Sequence, residues 1–175
     1  LVAPIQDGAA RSRRNRGSML TPPRMHPRLR LCSWICLVAF FESVVYGFSF
    51  PYFSLRLEQQ GLSVSLIGLH AAVGTLGVLS CGRLFPRVIG RCGYQRSTAI
   101  AFGSSVLVLL GLLVHDSVAL SFVLRLLLGM CFAGVWVCTE AWINEVVPDA
   151  HRGKVNAGFQ ALYSFGFFLG PGATY

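Results

Sequence analysis

An all-α polytopic membrane protein is the fold class this 175-residue sequence predicts, on three observations. First, 54% of the residues are hydrophobic and only 13% charged, and the mean hydropathy is +0.60. A soluble domain of this size would lack the polar surface to cover itself. Second, the apolar residues gather into five runs, each near the roughly 20 residues that a helix needs to cross a hydrocarbon core of about 30 Å. Third, the basic residues collect at alternate connections between those runs. The net charge of +8 raises nucleic acid as a partner. The charges lack the aromatic interleaving of a nucleic-acid surface, which excludes that class.

The elements follow in chain order. Residues 1–30 carry Pro and Arg with few large apolar side chains, so a disordered basic tail is expected. Spans are expected at residues 31–53, 62–85, 97–115, 118–139 and 155–175. The first could be misread as a cleaved signal peptide. It is too long, contains Glu42, and leads to Pro51 and bulky aromatics instead of a small-residue cleavage site. Seven Arg precede the first span, four (Arg83, Arg87, Arg91, Arg96) lie at the second connection, and Arg152 with Lys154 lie at the fourth. The other connections hold Arg56 alone. The positive-inside rule therefore puts the N-terminus, the second connection and the fourth in the cytoplasm. Leu1 is not an initiator, Met19 or Met25 would be a more natural start, and the sequence stops inside a span at Tyr175. A fragment of a longer protein is expected.

Cysteine and histidine give no chemistry. Cys32 and Cys36 share a helix face, as do Cys131 and Cys138, but no His or carboxylate completes a ligand set. Free thiols packing as small hydrophobes are expected, with no metal and no cofactor. His70 and His115 fall near the outer ends of their spans without a Ser or Asp at a catalytic spacing, so no enzyme is expected. The phosphate loop Gly-x-x-x-x-Gly-Lys-Ser/Thr is absent.

The ionisable residues inside spans are the functional candidates. Placing one near a bilayer centre costs about 2.5–3.5 kcal/mol on insertion scales, so Glu42, Arg125 and Glu140 should face a cavity or a partner. At about 100° per residue, Arg125, Phe132, Trp136 and Glu140 lie on one face of the fourth helix. Glu42, Tyr46, Ser49 and Phe53 share a face of the first, and Asn156, Gln160 and Ser164 a face of the fifth. Three polar stripes can converge on an aqueous cavity while the other faces meet lipid. A structural ion pair between Glu42 and Arg125 is the alternative, because their depths differ by only about 5 Å at 1.5 Å rise per residue. Gly68, Ala72, Gly129 and Ala133 form small-x-x-x-small pairs that let helices approach closely.

Several segments then resemble one family. Within residues 82–96, Arg91, Gly93 and Arg96 match the Arg-x-Gly-x-x-basic part of the short basic loop of the major facilitator superfamily, although that motif's acid and first Gly are replaced by Gly90 and Pro86. Arg125 and Gly129 resemble the family's Arg-x-x-x-Gly in the fourth helix. Glu145, Pro148, Arg152 and Gly153 resemble the Glu-x-x-Pro-x-x-x-Arg-Gly connection after it. Thr139, Glu140, Trp142 and Asn144 fall in a segment similar to a Glu-Ser-Trp-Leu-Asn signature of a little-characterised bacterial inner-membrane branch. Gly166, Gly170 and Pro171 match the Gly-x-x-x-Gly-Pro core of the antiporter motif, with an earlier glycine displaced by one at Gly158.

The resemblance implies a helix bundle supplying five of twelve helices, with two six-helix halves built from inverted three-helix repeats and a solute site between the halves. It implies a secondary transporter of the bacterial inner membrane that moves a small solute by alternating access, with a proton as a candidate coupling ion. Glu42, Tyr46, Arg125, Trp136, Glu140 and Gln160 would line the substrate and coupling cavity. Arg91, Gly93, Arg96, Glu145, Arg152 and Gly153 would gate it, and Gly129, Gly166, Gly170 and Pro171 would pack the helices. The competing class is a non-transporting assembly subunit or receptor that keeps the bundle. In the orientation read from the basic residues, a cysteine introduced at Gln59 of the full-length protein should react with an impermeant reagent in intact cells. Labelling only after permeabilisation would reverse the topology.

Overall fold

The computed structural model describes residues 25–172, with the side chains of residues 25–29 and of Arg83 left undescribed. Five helices fill this stretch: α1 (Met25–Gln59), α2 (Val64–Cys92), α3 (Tyr94–Val114), α4 (Val118–Val146) and α5 (Asp149–Gly172). There is no strand among the described residues. Residues 1–24 of the expected tail and 173–175 of the expected fifth span lie outside the described residues, whereas residues 25–30 form the first turns of α1.

α1, α2 and α4 run beyond the C-terminal ends of their expected spans, and packing accounts for the extra turns. α1 continues through Pro51 to Gln59 and buries Leu57. α2 continues through Pro86 to Cys92, where Ile89 packs on the Cys81, Phe85 and Ala133 cluster. α4 gains two turns because Ile143, with Val147 just beyond its end, packs with Ile35, Ala39 and Phe159 in a second cluster. By length and apolarity α1, α2, α3 and α4 qualify as membrane spans. The expected fifth span, α5, has 24 residues, about 36 Å at 1.5 Å per residue. It is less apolar because of its basic first turns and the stripe of Asn156, Gln160 and Ser164.

Two parallel helix pairs, α2 with α4 and α1 with α5, make the most extensive contacts; α3 packs on α4, while α4 and α5 meet over little of their length. Glycine makes both pairs possible. In the α2–α4 seam a methyl group at Gly77 would collide with the Leu126 carbonyl oxygen, and one at Gly129 with the carbonyl of Gly74. In the α1–α5 seam one at Gly47 would strike the Phe167 carbonyl, and ones at Gly166 and Gly170 the Ser43 hydroxyl and the Phe48 amide. All of these fall under 3.0 Å, closer than real side chains come. The small residues Gly68 and Ala72, by contrast, are exposed, and Gly68 has nothing within 4 Å. The close approach on α2 lies one to two turns further on, at Gly74 and Gly77.

The connection from α2 to α3 is the single residue Gly93 at φ 76°, a left-handed conformation that glycine adopts without steric cost. Its N–H donates to the Ile89 carbonyl at 2.8 Å, and its own carbonyl accepts the Ser97 hydroxyl at 2.8 Å. Outside the bundle, Trp34, Phe41, Leu79, Leu107 and Phe168 present a broad apolar surface suited to lipid.

Overpacking a close seam costs about 1–3 kcal/mol or more. Gly129→Leu and Gly166→Leu in the full-length protein should each reduce the monodisperse fraction recovered from membranes several-fold. Gly68→Leu should leave it unchanged, as read by size-exclusion chromatography of a fluorescent fusion.

Candidate functional site

α4 runs through the middle of the bundle, burying Arg125, Leu128, Phe132, Val135, Cys138 and Thr139 along its length. It meets α5 only near their shared connection, in a short ladder of polar side chains. Asn144 Oδ1 accepts from Asn156 Nδ2 at 2.7 Å, and one turn on Glu140 Oε1 accepts from Gln160 Nε2 at 3.3 Å. The next rung is aromatic, with the Trp136 and Tyr163 rings 6.2 Å apart.

Next to this rung lies a cavity of about 360 Å³ lined by Tyr46 of α1, Val78 of α2, Phe132, Ala133 and Trp136 of α4, and Tyr163, Ser164 and Phe167 of α5. Tyr46 is packed between Phe132, at 4.6 Å, and Phe167, at 5.8 Å. The lining is tied to the seams: Tyr46, Val78, Ala133 and Phe167 are each the immediate neighbour of a closely approached glycine, Gly47, Gly77, Gly134 or Gly166.

The six residues expected to form the cavity divide into three groups. Tyr46 and Trp136 line it. Glu140 and Gln160 are brought together as a rung of the α4–α5 ladder. Glu42 and Arg125 lie behind the lining, and they lie apart. Glu42 is 2% exposed and borders a second cavity of about 100 Å³ with Phe41, Phe102, Ser105 and Phe132. Its carboxylate interacts with the Tyr163 hydroxyl, while neither oxygen completes a hydrogen bond of good geometry.

Arg125, 3% exposed, donates from Nη1 to Ser49 Oγ at 3.0 Å, and its guanidinium sits 4.7 Å from the centre of the Phe50 ring and 5.5 Å from that of Phe53. A structural ion pair between Glu42 and Arg125 is therefore not formed. The register of α1 on α4 sets Arg125 against Ser49, seven residues from Glu42, or about 10 Å along the helix. Ser49 and Phe53 belong to the stripe already legible in the sequence.

The expected gating residues all fall at the end of the bundle where α2 meets α3 and α4 meets α5, and Arg91, Arg96, Glu145, Arg152 and Gly153 are exposed there. Arg152 is engaged by Asp149 at 2.6 Å, and not by Glu145. At the opposite end Arg56 crosses from α1 to the end of α3. It donates to the Leu112 and His115 carbonyls and to Asp116 Oδ1, the latter two at 3.1 and 2.9 Å. An Arg satisfying the last carbonyls of another helix is a C-terminal cap in trans.

Sequence reasoning missed Asp149, Tyr163, Phe167 and the capping role of Arg56. The i, i+3 spacing of Asp149 and Arg152 was available as a signal. The others depend on which helices become neighbours. Among the described residues no three of His, Cys, Asp and Glu converge as a metal site, and the six cysteines are free thiols.

Residues 35–175 match the family model described as Major Facilitator Superfamily. The chain is 26% identical over 125 residues to a protein of Bacillus subtilis (strain 168) named uncharacterized MFS-type transporter YfkF, covering 71% of this chain and 32% of that relative. It is 27% identical over 139 residues to the Na(+), Li(+), K(+)/H(+) antiporter of Planococcus maritimus, covering 75% of this chain and 32% of the relative. The chain thus spans about a third of the length of these curated relatives.

Separate environments for Glu42 and Arg125 make a double-mutant cycle informative. In full-length protein, the losses of thermal stability from Glu42→Gln and Arg125→Gln should add to within about 0.5 kcal/mol, as for independent sites. Ser49→Ala with Arg125→Gln should be clearly non-additive.

Proposed function

This chain belongs to the Major Facilitator Superfamily, and on that premise we propose that it is the N-terminal part of a secondary transporter moving a small solute by alternating access. The observation that carries the reading is the half-open cavity of about 360 Å³ lined from four helices, four of whose lining residues are chain neighbours of closely approached glycines. Smooth backbone-on-backbone seams let helix units shift while the cavity between them changes shape. The relatives' names support transport, and the Planococcus antiporter's name supports exchange against a proton as one form of coupling.

In this reading α1, α2 and α3 form one inverted repeat and α4 and α5 begin the next, with the rest of the cavity supplied by sequence not contained in this chain. The fragment by itself is inactive. The protein sits in a bacterial inner membrane with its N-terminus cytoplasmic. Tyr46 and Trp136 contact the solute, Glu140 and Gln160 close one end of the site, and Glu42 and Arg125 serve coupling: each is ionisable, buried and without an opposite charge in contact. A gradient of ions or solute drives the cycle without nucleotide.

At the basic end, Arg91, Arg96 and Arg152 with Glu145 and Gly153 form the gate around the Gly93 turn, and Asp149 joins it through Arg152. Exposed pairs there are individually worth about 0–1 kcal/mol, so they bias a balance of states and add little to stability. Glu145→Gln in the full-length protein should shift the ratio of inward-open to outward-open forms by up to about fivefold without impairing insertion. The measurement is the accessibility of single cysteines on the two faces; an unchanged ratio would remove Glu145 from the gate.

A further inference from the structure

The cavity lining is dominated by aromatic rings. Five of its eight residues, Tyr46, Phe132, Trp136, Tyr163 and Phe167, are aromatic, and none is basic. Polar atoms are few: two phenols, the Ser164 hydroxyl and the indole N–H of Trp136, which is buried without a hydrogen-bond partner. Behind the rings stand the charges. Glu42 is buried with neither oxygen bonded and meets Tyr163 from behind. Glu140 is one turn from Trp136. The nearby cation, Arg125, is already held by Ser49, Phe50 and Phe53. Two acidic side chains stand against one guanidinium around the cavity, so its surroundings are net negative once both acids are ionised.

We propose that this cavity binds an amphipathic organic monocation, its positive charge set against the aromatic faces and balanced by Glu42. The π faces of Trp, Tyr and Phe attract cations, most strongly where water is excluded. Other solutes fit less well. An apolar anion would face two carboxylates. The volume of about 360 Å³ lies in the range of small-molecule sites. This inference takes the cavity from the transporter reading and adds its ligand chemistry; binding can be measured without turnover, so the two can fail separately.

The test uses full-length protein in lipid nanodiscs and labelled tetraphenylphosphonium, with empty nanodiscs subtracted, at about pH 8.5 to stand well above the ordinary carboxylate range. Wild-type protein should bind the cation saturably, and the neutral triphenylphosphine oxide should compete at least about tenfold less well than unlabelled cation. Glu42→Gln and Trp136→Leu should each weaken binding about tenfold, while Trp136→Phe, which keeps a ring, should retain most of it. Equal competition by the neutral compound, or no saturable binding, overturns the proposal, and this comparison needs no variant to fold. Unchanged affinity in a correctly folded Glu42→Gln protein also overturns it. Failure here with state switching intact leaves the transporter reading standing; cation binding without any switching defeats transport alone.

Discussion

Backbone contact between helices, with no side chain in between, is the constraint on which this structure depends. In lipid there is no hydrophobic force to push helices together, because the surrounding solvent is as apolar as they are. Close dispersion contact must supply the association, and it grows as helix axes approach. The α2–α4 and α1–α5 seams achieve this with glycines whose missing methyl groups admit the partner's carbonyls. Once those two pairs are fixed, α3 has a flank of α4 to rest on, and α4 and α5 are left facing each other across a space they do not fill. The cavity is the remainder after the seams have formed.

The same constraint governs how charge is accommodated. Arg125 lies beside Gly74, where a methyl group would approach its Nε to 2.9 Å. A glycine therefore makes room for the guanidinium, and neutral partners hold it in place: a hydroxyl and two phenyl faces. A carboxylate would satisfy an arginine more strongly, but it would also fix the pair as structure. Holding a buried cation with polarisable groups leaves its charge available. Arg56 is treated in the opposite way, saturated by two carbonyls and Asp116 at the end of α3.

Much of this was legible in the sequence, and the rest was not for identifiable reasons. Apolar run length gives the helices, since a bilayer admits few other spanning elements. Angular periodicity gives the stripe of Tyr46, Ser49 and Phe53 on α1 and that of Phe132 and Trp136 on α4, because a helix is rigid enough for such angles to persist. Register between helices does not follow from either. The 5 Å depth argument for Glu42 with Arg125 assumed that the spans start level, and the packing of α1 on α4, which sets Arg125 against Ser49, gives a different offset. Small-residue spacing likewise identified Gly129 but also Gly68, which faces away from the bundle, while Gly166 and Gly170 came from the family motif. A glycine four residues from another small residue signals a possible groove without saying whether any helix occupies it. Helix ends extended further than hydropathy indicated because Ile143, Val147 and Ile89 find partners beyond the apolar runs.

The turn at Gly93 has a mechanical meaning. With one residue between α2 and α3, the available slack is about 3.8 Å, the distance between successive Cα atoms, and the two helices act as one bent lever with its elbow at Gly93. α4 and α5 are nearly as tightly coupled, through residues 147–148. The longest described joint is the four-residue stretch 60–63 between α1 and α2, which contains the other left-handed glycine, Gly61 at φ 79°. The short joints at Gly93 and 147–148 therefore tie their helices closely at the basic end of the bundle, and the longer joint at Gly61 leaves more slack at the opposite end.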